Sequence, residues 1–164
     1  MKDRIYVCHT YYHVYVTFLK ELKRRAEARK NGKDPGGATL VLSMLSNNFE
    51  NLKERVESTG LFEEVLMFDE KGEDNFPELK ELRKGGKGFL GNLWCRIRFT
   101  RRYAKLEEAY VPVNFREYKD VYVYCDSDPI GYYLNQKKIP YHAMEDGLNC
   151  LKNFDAARYD NRGH

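Results

Sequence analysis

What this sequence does not contain narrows it first. No run of about 18 apolar residues occurs and no charged-then-apolar leader opens it, so the expectation is a cytoplasmic chain that does not span a membrane. The glycine signatures of nucleotide sites are missing as well. After the first apolar strand stands His9-Thr10-Tyr11-Tyr12-His13 rather than GxGxxG, and there is no GxxxxGK[ST] phosphate loop, so a bound dinucleotide or other cofactor is not expected. No GxSxG elbow is present, which counts against a hydrolase of that type. The four cysteines, Cys8, Cys95, Cys125 and Cys150, form no CxxC pair and no His/Cys cluster with zinc spacing, so they read as free thiols of a reducing compartment and no metal is expected. A net charge of +3 and the lack of an RNP-like aromatic order put nucleic acid last among the partners. No internal repeat is present.

What is there is a globular composition, 42% hydrophobic and 32% charged, over 164 residues. That suits one domain with a real core. Thirteen tyrosines and nine phenylalanines favour a packed interior or a surface that stacks on sugars or bases. The order of elements is clear. A strand over 3–8 leads, past Thr10 as a helix cap, into a helix whose Val14, Phe18, Leu19 and Leu22 share one face. The breaker cluster 31–37 ends it. A continuously apolar strand over 38–44, a helix over 48–59 closed by Gly60, and a strand over 62–68 ending at Asp69 follow. A short helix over 76–84, a glycine-rich joint and a long helix over 90–109 fill the middle. A strand over 120–125, a helix from Pro129 to about Asn135 and a strand over 140–144 come next, before a polar tail. This βαβαβ opening predicts an α/β fold, a three-layer Rossmann-like domain with a mainly parallel sheet of about five strands.

In such a sheet the carboxyl ends of the strands share one edge, and ligands bind there. That edge is expected to hold His9, Thr10, Ser46, Asn47, Asp69, Asp126, Ser127, Asp128 and the acidic turn Glu145-Asp146-Gly147. His9 suits a phosphate or a polarised sugar hydroxyl, or else it satisfies backbone groups at a strand end. Glu145 and Asp146 suit a general base, because a carboxylate takes the proton from an attacking hydroxyl; the bland alternative is a polar turn pivoting on Gly147. Asp126-Ser127-Asp128 has the shape of a metal-binding DxD, but Asp128-Pro129 reads better as a helix cap. Strand alternation buries His142 or turns it to a helix. The basic helix carrying Arg96, Arg98, Arg101 and Arg102 is either a solvated face or a contact for an anionic acceptor or acidic lipid.

Two stretches resemble a family. Val7-Cys8-His9-Thr10-Tyr11-Tyr12-His13 is similar to the opening of bacterial sialyltransferase-like proteins, the lipooligosaccharide sialyltransferases of glycosyltransferase family 52 and the related capsule polysialyltransferases. Met144-Glu145-Asp146-Gly147 is similar to their acidic-acidic-glycine motif. The resemblance implies one half of a GT-B architecture and an inverting, metal-independent transfer from a CMP-activated sugar to an oligosaccharide or glycolipid acceptor in cell-surface polysaccharide synthesis. It implies Glu145, or alternatively Asp146, as the base, with His9 and Thr10 on the acceptor side. The chain has no His-Pro motif for a donor phosphate, so it is expected to be the N-terminal, acceptor-side domain, inactive until a second domain brings the nucleotide sugar. The competing expectation is a non-catalytic Rossmann-like binding or regulatory module.

Overall fold

The computed structural model describes residues 1–83 and 88–144. Five strands, β1 (Lys2–Cys8), β2 (Ala38–Ser43), β3 (Glu64–Phe68), β4 (Tyr118–Val123) and β5 (His142–Ala143), form one sheet in the order β3-β2-β1-β4-β5. Every pairing is parallel. The fold is the expected Rossmann-like α/β sheet. Helices α1 (Tyr11–Lys30), α2 (Leu52–Glu57), α3 (Pro77–Leu82), α4 (Gly88–Glu107) and α5 (Pro129–Lys137) connect the strands, with short 3-10 turns at Glu73–Asn75 and Phe115–Glu117.

Strand alternation divides the core between the two faces of the sheet. Ile5, Val7, Val41, Phe68, Val121 and Val123 face α5, where Ile130, Tyr133 and Leu134 meet them. Tyr6, Cys8, Leu40, Leu42, Tyr122 and Tyr124 face the opposite way, toward Val14 of α1 and Val56 of α2. All six residues of β2 are buried, as a central parallel strand requires. Helix α4 forms an outer layer. Its second half packs on α3 and α5 through Phe99, Tyr103, Leu106, Phe76, Leu79 and Tyr132.

The first helix begins where the sequence predicts, with the Thr10 hydroxyl accepting from the His13 backbone N–H at 3.2 Å. Its buried face is not the apolar one. Leu19 and Leu22 are 48% and 53% exposed, and the face against the sheet is His13, Val14, Thr17 and Glu21. The reason lies in the strands beneath. Their even positions present Arg4, Tyr6 and Tyr124, which need polar partners once buried. Glu21 takes both Nε and a terminal nitrogen of Arg4 at 2.7 and 2.5 Å, together with the Tyr6 hydroxyl at 2.6 Å. Burial alone would raise the Glu21 carboxyl, but these donors hold it below its ordinary value. Thr17 bonds the Tyr124 hydroxyl at 2.9 Å, and the His13 ring stacks on Tyr124 with centroids 4.3 Å apart.

Two further elements depart from expectation. The second helix covers Leu52–Glu57 rather than 48–59, because Phe49 and Glu50 have φ of +56° and +35°. That left-handed pair drives the Phe49 ring into the core, edge-on to Tyr11, and a continuous helix there would turn it elsewhere. The fifth strand is two residues long at the sheet margin, and His142 is exposed, stacked on Tyr122 with its Nε2 3.6 Å from Asp120.

Candidate functional site

The strand order reverses between β1 and β4, so the chain leaves these two neighbours toward opposite ends of the sheet. A crevice outside their carboxyl ends is the usual result. The residues gathered at this edge are His9, Thr10, Ser43, Asn47, Glu70 and the loop 125–128.

Glu70 is the hub of the edge. Its Oε2 accepts from the Ser43 hydroxyl at 2.5 Å and lies 2.7 Å from His9 Nε2. Its Oε1 accepts from the backbone N–H of Ile130 at 2.8 Å. One carboxyl thus joins the ends of β1, β2 and β3 to the first turn of α5, and both His9 and Glu70 are buried. A helix N-terminus offers free N–H groups and a positive dipole end, which makes it a ready anion site. In α5 that position is filled from within. Asp128 stands at the cap position without capping through its side chain, and its Oδ2 is 3.9 Å from His9 Nε2.

His9 is oriented from three sides. Besides Glu70, its backbone N–H donates to His13 Nδ1 at 3.1 Å, and its carbonyl accepts from Asn47 Nδ2 at 2.8 Å. Together with Cys125, the two histidines have donor atoms within 4.8 Å of one another. The set does not suit a metal ion in this geometry. Nδ1 of His13 is committed to the His9 N–H, which leaves the ring proton on Nε2, and Nε2 of His9 faces Glu70. His9 Nδ1 and Cys125 Sγ are two donors, short of the three or four that a zinc site uses.

Asp126 and Ser127 stand beside a cavity of about 310 Å³ that the loop shares with α4 and α5, lined also by Arg96, Thr100, Arg101, Tyr132, Asn135 and Gln136. The loop lies tight on α5 because residue 131 is glycine. A Cβ there would sit 1.9 Å from the Asp126 carbonyl oxygen. Thr10 spends its hydroxyl on the α1 cap, while Tyr11 and Tyr12 beside it are exposed.

The structure therefore brings His9, Asp126 and Ser127 to one edge, with Thr10 at the start of α1. Glu145, Asp146 and Gly147 lie outside the described residues; β5 ends at Ala143, where the Met144 N–H donates to the Val123 carbonyl at 2.7 Å. Ser46 is exposed. Asp69, the expected acid after β3, turns outward to Lys71, and Glu70, one residue on, is the carboxyl turned inward. The adjacent Asp-Glu pair was the available signal, since one of two neighbouring acids at a strand end faces in. Glu107 had no signal at all. It is buried in the last turn of α4, accepts from the Lys71 N–H at 3.1 Å, and is raised to about 7 by burial, with the nearby Glu70 adding to the effect.

No known protein family model, no curated protein and no solved structure matches the chain.

Proposed function

We propose that this chain is the acceptor-side domain of a sialyltransferase-like glycosyltransferase. In this reading an oligosaccharide or glycolipid acceptor lies along the β1/β4 edge, and Glu145, or Asp146, takes the proton from its attacking hydroxyl. A second domain holds the CMP-sugar. The observation that carries the reading is the cavity at Asp126 and Ser127. Its lining mixes carboxylate, hydroxyl, amide, phenol and guanidinium groups, which is the chemistry that binds a polyhydroxylated ligand bearing an anionic group. The internal occupation of the α5 N-terminus by Glu70 agrees with a donor nucleotide bound elsewhere.

Saturation-transfer NMR of the chain with short neutral and acidic oligosaccharides tests this. Transfer to the acidic sugar, weakened about tenfold or more by Arg96→Ala/Arg101→Ala, is the expected result, the loss of two charge-assisted contacts. The absence of transfer at millimolar sugar refutes it. In a version carrying both domains, Glu145→Gln and Asp146→Asn separate the candidate bases, and near-normal turnover in both removes that assignment.

The sealed His9–Glu70 pair favours a second reading, a non-catalytic Rossmann-like binding module, since a buried imidazole offers nothing to a substrate. Sugar binding without transfer in the two-domain version distinguishes it.

A further inference from the structure

Helix α4 changes character along its length. Its buried residues, Tyr103, Ala104 and Glu107, all fall in the last five positions. From Gly88 to Arg102 no residue is buried, although this half carries the large apolar side chains Phe89, Leu90, Leu93, Trp94 and Ile97. Phe89 is 81% exposed, Leu90 77% and Trp94 58%. Phe89, Leu90, Leu93 and Trp94 recur at helical spacing and make an exposed stripe, which half-buried Ile97 continues into the Asp126 cavity. Scattered exposed apolar residues need no explanation, but four large ones grouped on one helix face mark a contact surface.

The charges next to the stripe indicate the partner. Arg98 stands one turn beyond Trp94, and Arg101 one turn beyond Ile97; with Lys105 a further turn along, all three are exposed. No acidic side chain occurs on α4 before Glu107, which is buried. Aromatic and aliphatic residues flanked by arginines, on a helix lying outside the sheet layers, are what an interfacial helix presents to a lipid surface. No helix among the described residues is long and apolar enough to cross a membrane, so the geometry is one of lying on the surface rather than spanning it. Arg102 donates to Glu78 at 3.2 Å and Arg96 lines the Asp126 cavity, while Arg98, Arg101 and Lys105, exposed, also border a cavity of about 880 Å³ that they share with Glu78, Glu81 and Glu108.

We propose that the first three turns of α4 dock on an anionic phospholipid bilayer, with Phe89, Leu90, Leu93 and Trp94 entering the headgroup boundary and Arg98 and Arg101 meeting the lipid phosphates and acidic headgroups. This assignment needs no ligand at the sheet edge, although the two surfaces share Arg101. It gives the cavity at Asp126 a fixed relation to the bilayer, because Arg101 belongs to both the flank of the stripe and the cavity lining.

The chain supplies its own reporter, since Trp94 is its one tryptophan. Adding vesicles of phosphatidylcholine with phosphatidylglycerol is expected to shift Trp94 emission to the blue, with vesicles of phosphatidylcholine alone giving little change. Each arginine near an anionic surface is worth about fivefold in partitioning, so Arg98→Glu/Arg101→Glu should weaken binding by at least about 25-fold. Phe89→Ser/Leu90→Ser removes only exposed groups, leaves Trp94 in place and should abolish the shift while the circular dichroism of the fold is kept. No blue shift with either vesicle overturns the proposal. So does an equal shift with both, which would make the contact indifferent to charge. An emission already blue without lipid and dependent on protein concentration, with a dimer mass in light scattering, would assign the stripe to a second copy and overturn it too.

Discussion

Replacing Glu107 by glutamine is expected to remove a pH dependence that the parent protein shows between about pH 4.5 and about pH 7, the interval between its unfolded and folded titrations. The carboxyl lies at the end of α4 with one oxygen on the Lys71 N–H, and its Oε2 has no hydrogen-bond partner among the described residues. Burial disfavours its charged form and the neighbouring Glu70 adds to this, while the Lys71 N–H works the other way; the result is a carboxyl that protonates at about 7 instead of 4.5. The folded chain therefore holds this proton more tightly than the unfolded chain. The stability linked to it is fully present below about 4.5 and is lost as pH rises through about 7. The displacement corresponds to at most about 3 kcal/mol, and in a chain of this size to a fall in Tm of up to about 10 °C. Glutamine keeps an acceptor for Lys71 and cannot ionise. Histidines titrate over the same range, so the informative quantity is the slope of the parent minus that of Glu107→Gln, taken from urea unfolding at several pH values. Equal slopes in the two proteins would refute the reasoning, by showing that Glu107 ionises in the fold at no penalty.

Two other perturbations have definite outcomes. Arg4→Met alone strands the Glu21 carboxylate under α1 and should lower stability by about 3–5 kcal/mol, while Arg4→Met/Glu21→Leu should recover most of that; a double variant no better than the single one, in denaturant titration, would argue against a buried charge as the cause. Gly131→Ala sets a Cβ against the Asp126 carbonyl and should lower stability by about 3 kcal/mol or more, with faster hydrogen exchange confined at first to the loop and the first turn of α5; an unchanged exchange pattern would show that the loop does not depend on that close approach.

The strands were legible because a parallel sheet buried on both faces writes itself as unbroken apolar runs, as in residues 38–43. Helix boundaries set by a hydroxyl cap or by proline, at Thr10 and Pro129, were equally visible. The face of α1 was not. Periodicity assigns Leu19 and Leu22 to the core because it measures apolar side chains, whereas what decided the docking was the set of polar groups on the strands below, Arg4, Tyr6 and Tyr124. The break at Phe49 was hidden for a related reason: no local signal forbids a helix there, and only burial of the ring makes the left-handed backbone worthwhile. At the edge, His9, Asp126 and Ser127 were found by asking where strands end. Glu70 was missed because Asp69 stood closer to that end, and nothing in the sequence tells which of two adjacent acids faces inward.

The polar underside of α1 has a consequence for how the molecule keeps its shape. A helix held by greasy contacts alone can slide or roll by a fraction of a turn with little change in energy. Here three unlike couplings, phenol to hydroxyl, imidazole over phenol, and guanidinium to carboxylate, are spread along three turns and match at a single setting. The helix is indexed against the sheet like a key with three cuts, and Tyr11 and Tyr12 at its tip are delivered to the strand edge at a fixed height and angle.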